Sequence, residues 1–128
     1  EPTSGLDPVN AHKIKSIINE MKAKGKTIFL TTHNMYDAEE LCDRVAFITQ
    51  GEIRAEASPH DLKLKYGRPT VSVEYKNNKN QKAEFDLDGI GKNESFLNLI
   101  QTHEIISMHS QEATLDEVFV KITGKSLN

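Results

Sequence analysis

With 128 residues, 37% of them hydrophobic, and a formal net charge of −3, the chain has the length and apolar content for a folded core and is not a disordered tail. Its 16 basic residues stand against 19 acidic ones with no block of like charge, which argues against nucleic-acid binding through a basic face. The one cysteine, Cys42, rules out a disulfide or zinc framework within the chain, and no apolar run approaches the roughly 18–20 residues that span a bilayer.

The chain opens on Glu1-Pro2-Thr3-Ser4-Gly5-Leu6-Asp7-Pro8, a carboxylate and a glycine-containing turn followed by an Asp-Pro pair. Asp7 can cap a helix whose first position suits Pro8, because no N–H is needed there and φ is already near the helical value. Ile14, Ile17, Ile18 and Met21 recur at helical spacing and predict an amphipathic helix over 9–24 that stops at Gly25. Thr27-Ile28-Phe29-Leu30-Thr31 is apolar without alternation, the pattern of a strand covered on both faces in a parallel sheet. Thr31-Thr32-His33 then falls at the strand's carboxyl end, where such sheets place functional groups. Asn34 can cap a short helix with Met35, Ala38, Leu41 and Cys42 on one side and Asp37, Glu39 and Glu40 on the other. Residues 45–48 and 52–56 read as an antiparallel hairpin across Gln50-Gly51. Ser58-Pro59 repeats the cap-then-proline signal for a helix over 59–66, stopped by Gly67.

From Thr70 the period changes. Val71, Val73 and Tyr75 alternate with polar residues, as do Ala83, Phe85 and Leu87, which predicts two half-buried strands joined across a solvated 76–82. Asn93 can cap a helix carrying Phe96, Leu97 and Ile100, and 105–108 reads as a third strand. Thr114 with Glu117 is a capping-box pair for a last helix with Leu115, Val118, Phe119 and Ile122 as its stripe and Gly124 as its stop. His12, His60, His103 and His109 have no ligand spacing among themselves or with Cys42, so no metal site is expected.

Taken together, the opening octapeptide, the helix and strand after it, and His33 at that strand's end resemble the ATP-binding subunits of ABC transporters, in which a buried strand ends in Asp-Glu and continues as Pro-Thr-Ser-Gly-Leu-Asp-Pro. The resemblance implies that Glu1 is the catalytic carboxylate orienting the attacking water. It implies that Ser4, Gly5, Leu6 and Asp7 are the D-loop facing a second subunit, and that His33 is the switch histidine contacting the γ-phosphate of the bound nucleotide. These roles fit phosphoryl transfer, where positioning and charge stabilisation carry most of the catalysis. The closing segment, 112–124, resembles the C-terminal helix of the bacterial subfamily that serves drug and antibiotic-peptide exporters, which commonly has Pro where Ala113 stands. The implied fold is α/β: part of a P-loop NTPase core with parallel strands over 1–67, then a small α+β accessory domain over 68–128 in the order strand, strand, helix, strand, helix.

The family's phosphate loop G-x-x-x-x-G-K-[ST], its glutamine loop, its Leu-Ser-Gly-Gly-Gln signature and the Asp before Glu1 do not occur in the sequence. The expectation is a C-terminal fragment of the subunit that powers an ABC exporter, the parent using ATP and Mg²⁺ and the fragment alone holding and hydrolysing none. The expected partners are a transmembrane permease and a second ATP-binding subunit, with the parent peripheral on the cytoplasmic face of the membrane. The alternative is a non-enzymatic regulatory or dimerisation module derived from such an ATPase. Without flanking strands, the apolar run at 28–30 is expected to make the fragment self-associate.

Overall fold

In the computed structural model, which describes residues 1–124, Asp7 starts the first helix as its position demands. Its Oδ1 accepts from the N–H groups of Val9 and Asn10 at 3.0 and 3.1 Å, and α1 (Pro8–Ala23) follows. Asn34 does the same for α2 (Met35–Leu41), accepting from Tyr36 and Asp37. β1 (Val45–Thr49) and β2 (Glu52–Ala57) form an antiparallel hairpin turned by Gln50 and Gly51 at φ 53° and 77°, the two left-handed residues that match strand twist in a two-residue loop. Ser58 caps α3 (Pro59–Tyr66). Then come β3 (Thr70–Asn77), β4 (Lys79–Asp86), a 3-10 turn over Ile90–Lys92, α4 (Glu94–Thr102), β5 (Glu104–Gln111) and α5 (Leu115–Thr123).

These elements build two separate cores. In the first, α2, the hairpin and α3 close around Met35, Ala38, Phe47 and Leu62, and α5 completes the cluster with Leu115, Val118 and Phe119. Phe47 and Phe119 meet edge to face at 5.2 Å. In the second, the antiparallel sheet β4-β3-β5 and α4 enclose Val71, Val73 and Phe96, with Phe85 edge to face on Phe96 at 5.4 Å. The helix expected to end the accessory domain therefore packs against the elements of 35–62. Where the chain crosses between the cores, Gly67 and Ala113 touch. A Cβ built on Gly67 lies 2.4 Å from the Ala113 Cβ and 2.5 Å from the Lys63 carbonyl oxygen, so only glycine fits.

Three local readings differ from the sequence expectation. Residues 27–31 form no strand, and Phe29 is 93% exposed. A strand exists only where a neighbour accepts its hydrogen bonds, and both sheets among the described residues are antiparallel and lie elsewhere. The stretch 76–82 is not a long loop, because the two strands continue until Asn77 pairs with Lys79 around Asn78 at φ 63°, a conformation that asparagine tolerates. Asp37, expected on the side of its helix opposite the apolar residues, is 2% exposed.

Candidate functional site

The short loop of residues 1–7 runs beside residues 31–33, and this brings the ends of two sequence-distant segments together. Glu1 is the acceptor at the centre. Its Oε1 takes the His33 backbone N–H at 2.9 Å and lies 2.5 Å from His33 Nδ1, while its Oε2 accepts from the Thr32 hydroxyl at 3.0 Å. The Glu1 backbone nitrogen donates in turn to the Thr31 carbonyl. Both side chains remain open to solvent, Glu1 by 43% and His33 by 70%. The His33 backbone N–H, then its ring, then the Thr32 hydroxyl hold the Glu1 carboxyl below the usual carboxylate range. Glu1 is therefore held in its ionised form as a hydrogen-bond acceptor. The His33 ring meets Glu1 through Nδ1, and 70% of its side chain is open to solvent.

The other expected residues lie nearby in the chain but do different things. Ser4, Gly5 and Leu6 are exposed in a turn closed by the Leu6 N–H on the Thr3 carbonyl at 3.2 Å. Asp7 is committed to its helix: the backbone N–H and side-chain amide of Asn10 lower its pKa, with the Val9 N–H contributing less. No group of three or more metal-ligating side chains occurs among the described residues. Burial pushes the Cys42 thiol pKa up, which works against formation of the reactive thiolate. Two open clefts, one beside Gly67 and Ala113 and one beside Cys42 and His60, are lined by neither Glu1 nor His33.

Sequence reasoning missed a second polar group beside the pair. Buried Asp37 accepts from the Thr3 hydroxyl and pairs with Lys15 Nζ at 3.0 Å, and Lys15 also reaches Glu40 at 2.7 Å. Glu40 and then Asp37 raise the Lys15 pKa. The signal was present in the spacing, for Asp37 stands four residues before Leu41 and one before Ala38, on the same buried stripe.

Residues 69–112 match the family model described as the fluoroquinolone efflux ABC transporter C-terminal domain. Over 129 aligned residues, covering 99% of this chain, the sequence is 52% identical to the fluoroquinolones export ATP-binding proteins of two Mycobacterium tuberculosis strains. The chain spans 43% of the length of those relatives. It is also 52% identical over 62 residues, 48% of the chain, to the Nod factor export ATP-binding protein I of Rhizobium sp. (strain N33), of which this covers 20%. On these matches the chain corresponds to the C-terminal part of an ABC transporter ATP-binding subunit.

Proposed function

We propose that residues 1–33 supply the water-orienting carboxylate and the phosphate-contacting histidine of an ATP-hydrolysing subunit that powers an ABC exporter. The observation that carries this reading is the 2.5 Å approach of Glu1 Oε1 to His33 Nδ1, made across a loop whose residues match the family's D-loop pattern. The donor set supports it: an ionised carboxylate and an imidazole suit an incoming water and a phosphate, while the residues that would grip nucleotide and metal are not in this sequence. When bound, ATP with Mg²⁺ supplies the phosphoryl group and neutralises its charge. In the longer protein Glu1 would accept a hydrogen bond from the water and align it, and His33 would be the residue that contacts the terminal phosphate. Because the transition state of phosphoryl transfer is loose, little proton removal is asked of Glu1, which agrees with its lowered pKa.

The remaining parts of the proposal follow from the same reading. Residues 28–30 take their place as a strand of a parallel P-loop core, Ser4–Asp7 face a second ATP-binding subunit, and a permease binds the parent at the inner face of the membrane. No helix among the described residues is long and apolar enough to cross a membrane. The two cores support a division in which 1–67 together with α5 belong to the ATPase body and 69–112 form the accessory unit. The names of the M. tuberculosis relatives make fluoroquinolones the first substrates to test. The isolated 128 residues self-associate through the uncovered apolar surface of α1 and Phe29 and hydrolyse no ATP.

The test is ATP turnover of the longer protein that includes these residues, with Glu1→Gln and His33→Ala. Each is expected to lower kcat by at least about 100-fold, the scale of a positioned acid–base or water-orienting group. Turnover unchanged in both variants would remove Glu1 and His33 as the hydrolytic pair, whereas no turnover in the unaltered longer protein would favour a non-enzymatic regulatory module.

A further inference from the structure

We propose that Asp37 is a positioning residue that holds the Glu1 carboxylate against His33, an inference that rests on reading this pair as the hydrolytic site. Three segments meet at its carboxylate. Its Oδ2 accepts from Thr3 in the loop that carries Glu1, its Oδ1 pairs with Lys15 of α1 at 3.0 Å, and its own helix begins directly after His33. The Asp37 N–H is itself bonded to the Asn34 cap, so His33 and Asp37 are fixed relative to each other by one turn of backbone.

This anchor matters because the loop has no buried residue of its own to hold it among the described residues. No residue of the loop 1–7 is buried, and α1 contributes no buried residue either. α1 is held to α2 through Lys15 and through Lys22, whose Nζ donates to the Leu41 carbonyl at 2.7 Å and reaches Asp43 at 3.2 Å. Besides its internal turn and the Asp7 cap on α1, the loop is tethered among the described residues by Glu1, whose carboxylate and nitrogen bond residues 31–33, and by Thr3 on Asp37. Between them lies only Pro2, whose fixed φ makes the spacer stiff, so where Thr3 is pinned determines where Glu1 can reach. Asp37 is 2% exposed, and its two oxygens are taken up by the Thr3 hydroxyl and the Lys15 ammonium, so removing either leaves a buried polar atom unpaired. The charged groups facing this cluster are Lys15 from α1 and Glu40 from α2, and Glu1 itself faces His33.

The experiment follows the Glu1 side-chain carboxyl by carbon-detected NMR as pH is varied in the 128-residue chain, with Thr3→Val, Thr3→Ser and the mild core lesion Leu62→Val. In the unaltered chain Glu1 is expected to titrate below the ordinary glutamate range, because the His33 N–H, its ring and the Thr32 hydroxyl hold the carboxylate. Thr3→Val removes the hydroxyl at constant shape and is expected to return Glu1 to the ordinary glutamate value, whereas Thr3→Ser keeps the donor and leaves the midpoint where it was. Leu62→Val loosens the first core without touching the loop and is expected to leave it there too. A Thr3→Val chain that keeps the depressed midpoint overturns the proposal, as does a Leu62→Val chain that shifts as far as Thr3→Val. The readout needs no nucleotide. Failure of Glu1→Gln to slow the longer protein would therefore dismiss the hydrolytic reading while leaving the titration result to judge Asp37 separately.

Discussion

α1 and α5 carry nearly the same sequence pattern and meet opposite fates. Ile14, Ile17, Ile18 and Met21 form a helical stripe in one, and Leu115, Val118, Phe119 and Ile122 form it in the other. α5 buries Leu115, Val118 and Phe119 in the first core, while α1 buries nothing and leaves Ile17 51% and Met21 43% exposed. A periodic stripe states that a face needs cover, and the cover must come from somewhere else in the fold. For α5 it is Met35, Ala38, Phe47 and Leu62. α1 is instead fastened by polar contacts, the Asp7 cap and the lysines at 15 and 22.

The largest effect that follows from this contrast is at Phe119. Replacing it with alanine removes the ring that sits edge to face on Phe47 and opens a void among residues that cannot all collapse into it. The expected loss is about 3–5 kcal/mol in urea unfolding, a large share of the stability of a small domain. The second core shares no buried residue with the first, so sheet amide signals from 70–111 should persist after signals from the first core are lost. Loss of both together would mean that the two cores fold as one unit.

Gly67→Ala comes next. The added methyl meets the Ala113 Cβ at 2.4 Å and the Lys63 carbonyl at 2.5 Å, and the second contact is with helix backbone that cannot swing aside. Destabilisation of about 1–3 kcal/mol is expected, the range for overpacking. Adding Ala113→Gly should recover only part of it, because the Lys63 contact stays. Full recovery in the double variant would place all the strain on Ala113.

Much of this architecture was legible in the sequence because it is written locally. The Asp7, Asn34, Ser58, Asn93 and Thr114 caps, the Gln50-Gly51 turn and the alternation of β3 each depend on neighbours a few residues away. Glu1 and His33 were singled out by the motif pattern, but their contact, made between residues 32 apart in the chain, was not read from it. What could not be read was decided at long range. Whether 27–31 becomes a strand depends on neighbouring strands, and both sheets among the described residues lie elsewhere, while whether Asp37 is solvated depends on Thr3 and Lys15, which are distant in the chain. That α5 would join the first core rather than the sheet before it was equally hidden, since its stripe suits either surface.

A smaller effect should appear at the α5 capping box. Thr114 Oγ1 accepts from the Glu117 N–H at 3.2 Å and the Glu117 side chain answers the Thr114 N–H at 3.3 Å. Thr114→Ala should cost about 1 kcal/mol, measured as a shift of the urea midpoint at constant slope. Acidification tests the polar fastening of α1 in the same spirit. Asp7 and Glu1 have lowered pKa values in the fold, so the unfolded chain binds more protons and the contacts they make are fully present above the ordinary carboxylate values of about 4. They are lost as pH falls through the lower folded values. Amide exchange should therefore quicken in 8–23 and 31–33 below about pH 4, before the amides of α5 respond.

The smallest expected effect is also the sharpest comparison, because it asks the apolar stripe of α1 to do nothing. Ile17 is more than half exposed and touches neither core cluster, so Ile17→Lys should change monomer stability by no more than about 0.5 kcal/mol. The same charge placed in the stripe of α5 would be buried without a partner. If the exposed stripe joins copies of the chain, Ile17→Lys should instead lower the average mass in light scattering at micromolar concentration, with the unfolding midpoint unmoved once dilution has made the chain monomeric. A loss of several kcal/mol in the monomer would mean that α1 is covered within a single chain after all. The polar contacts of Asp7, Lys15 and Lys22 would then supplement a packed helix rather than hold an open one.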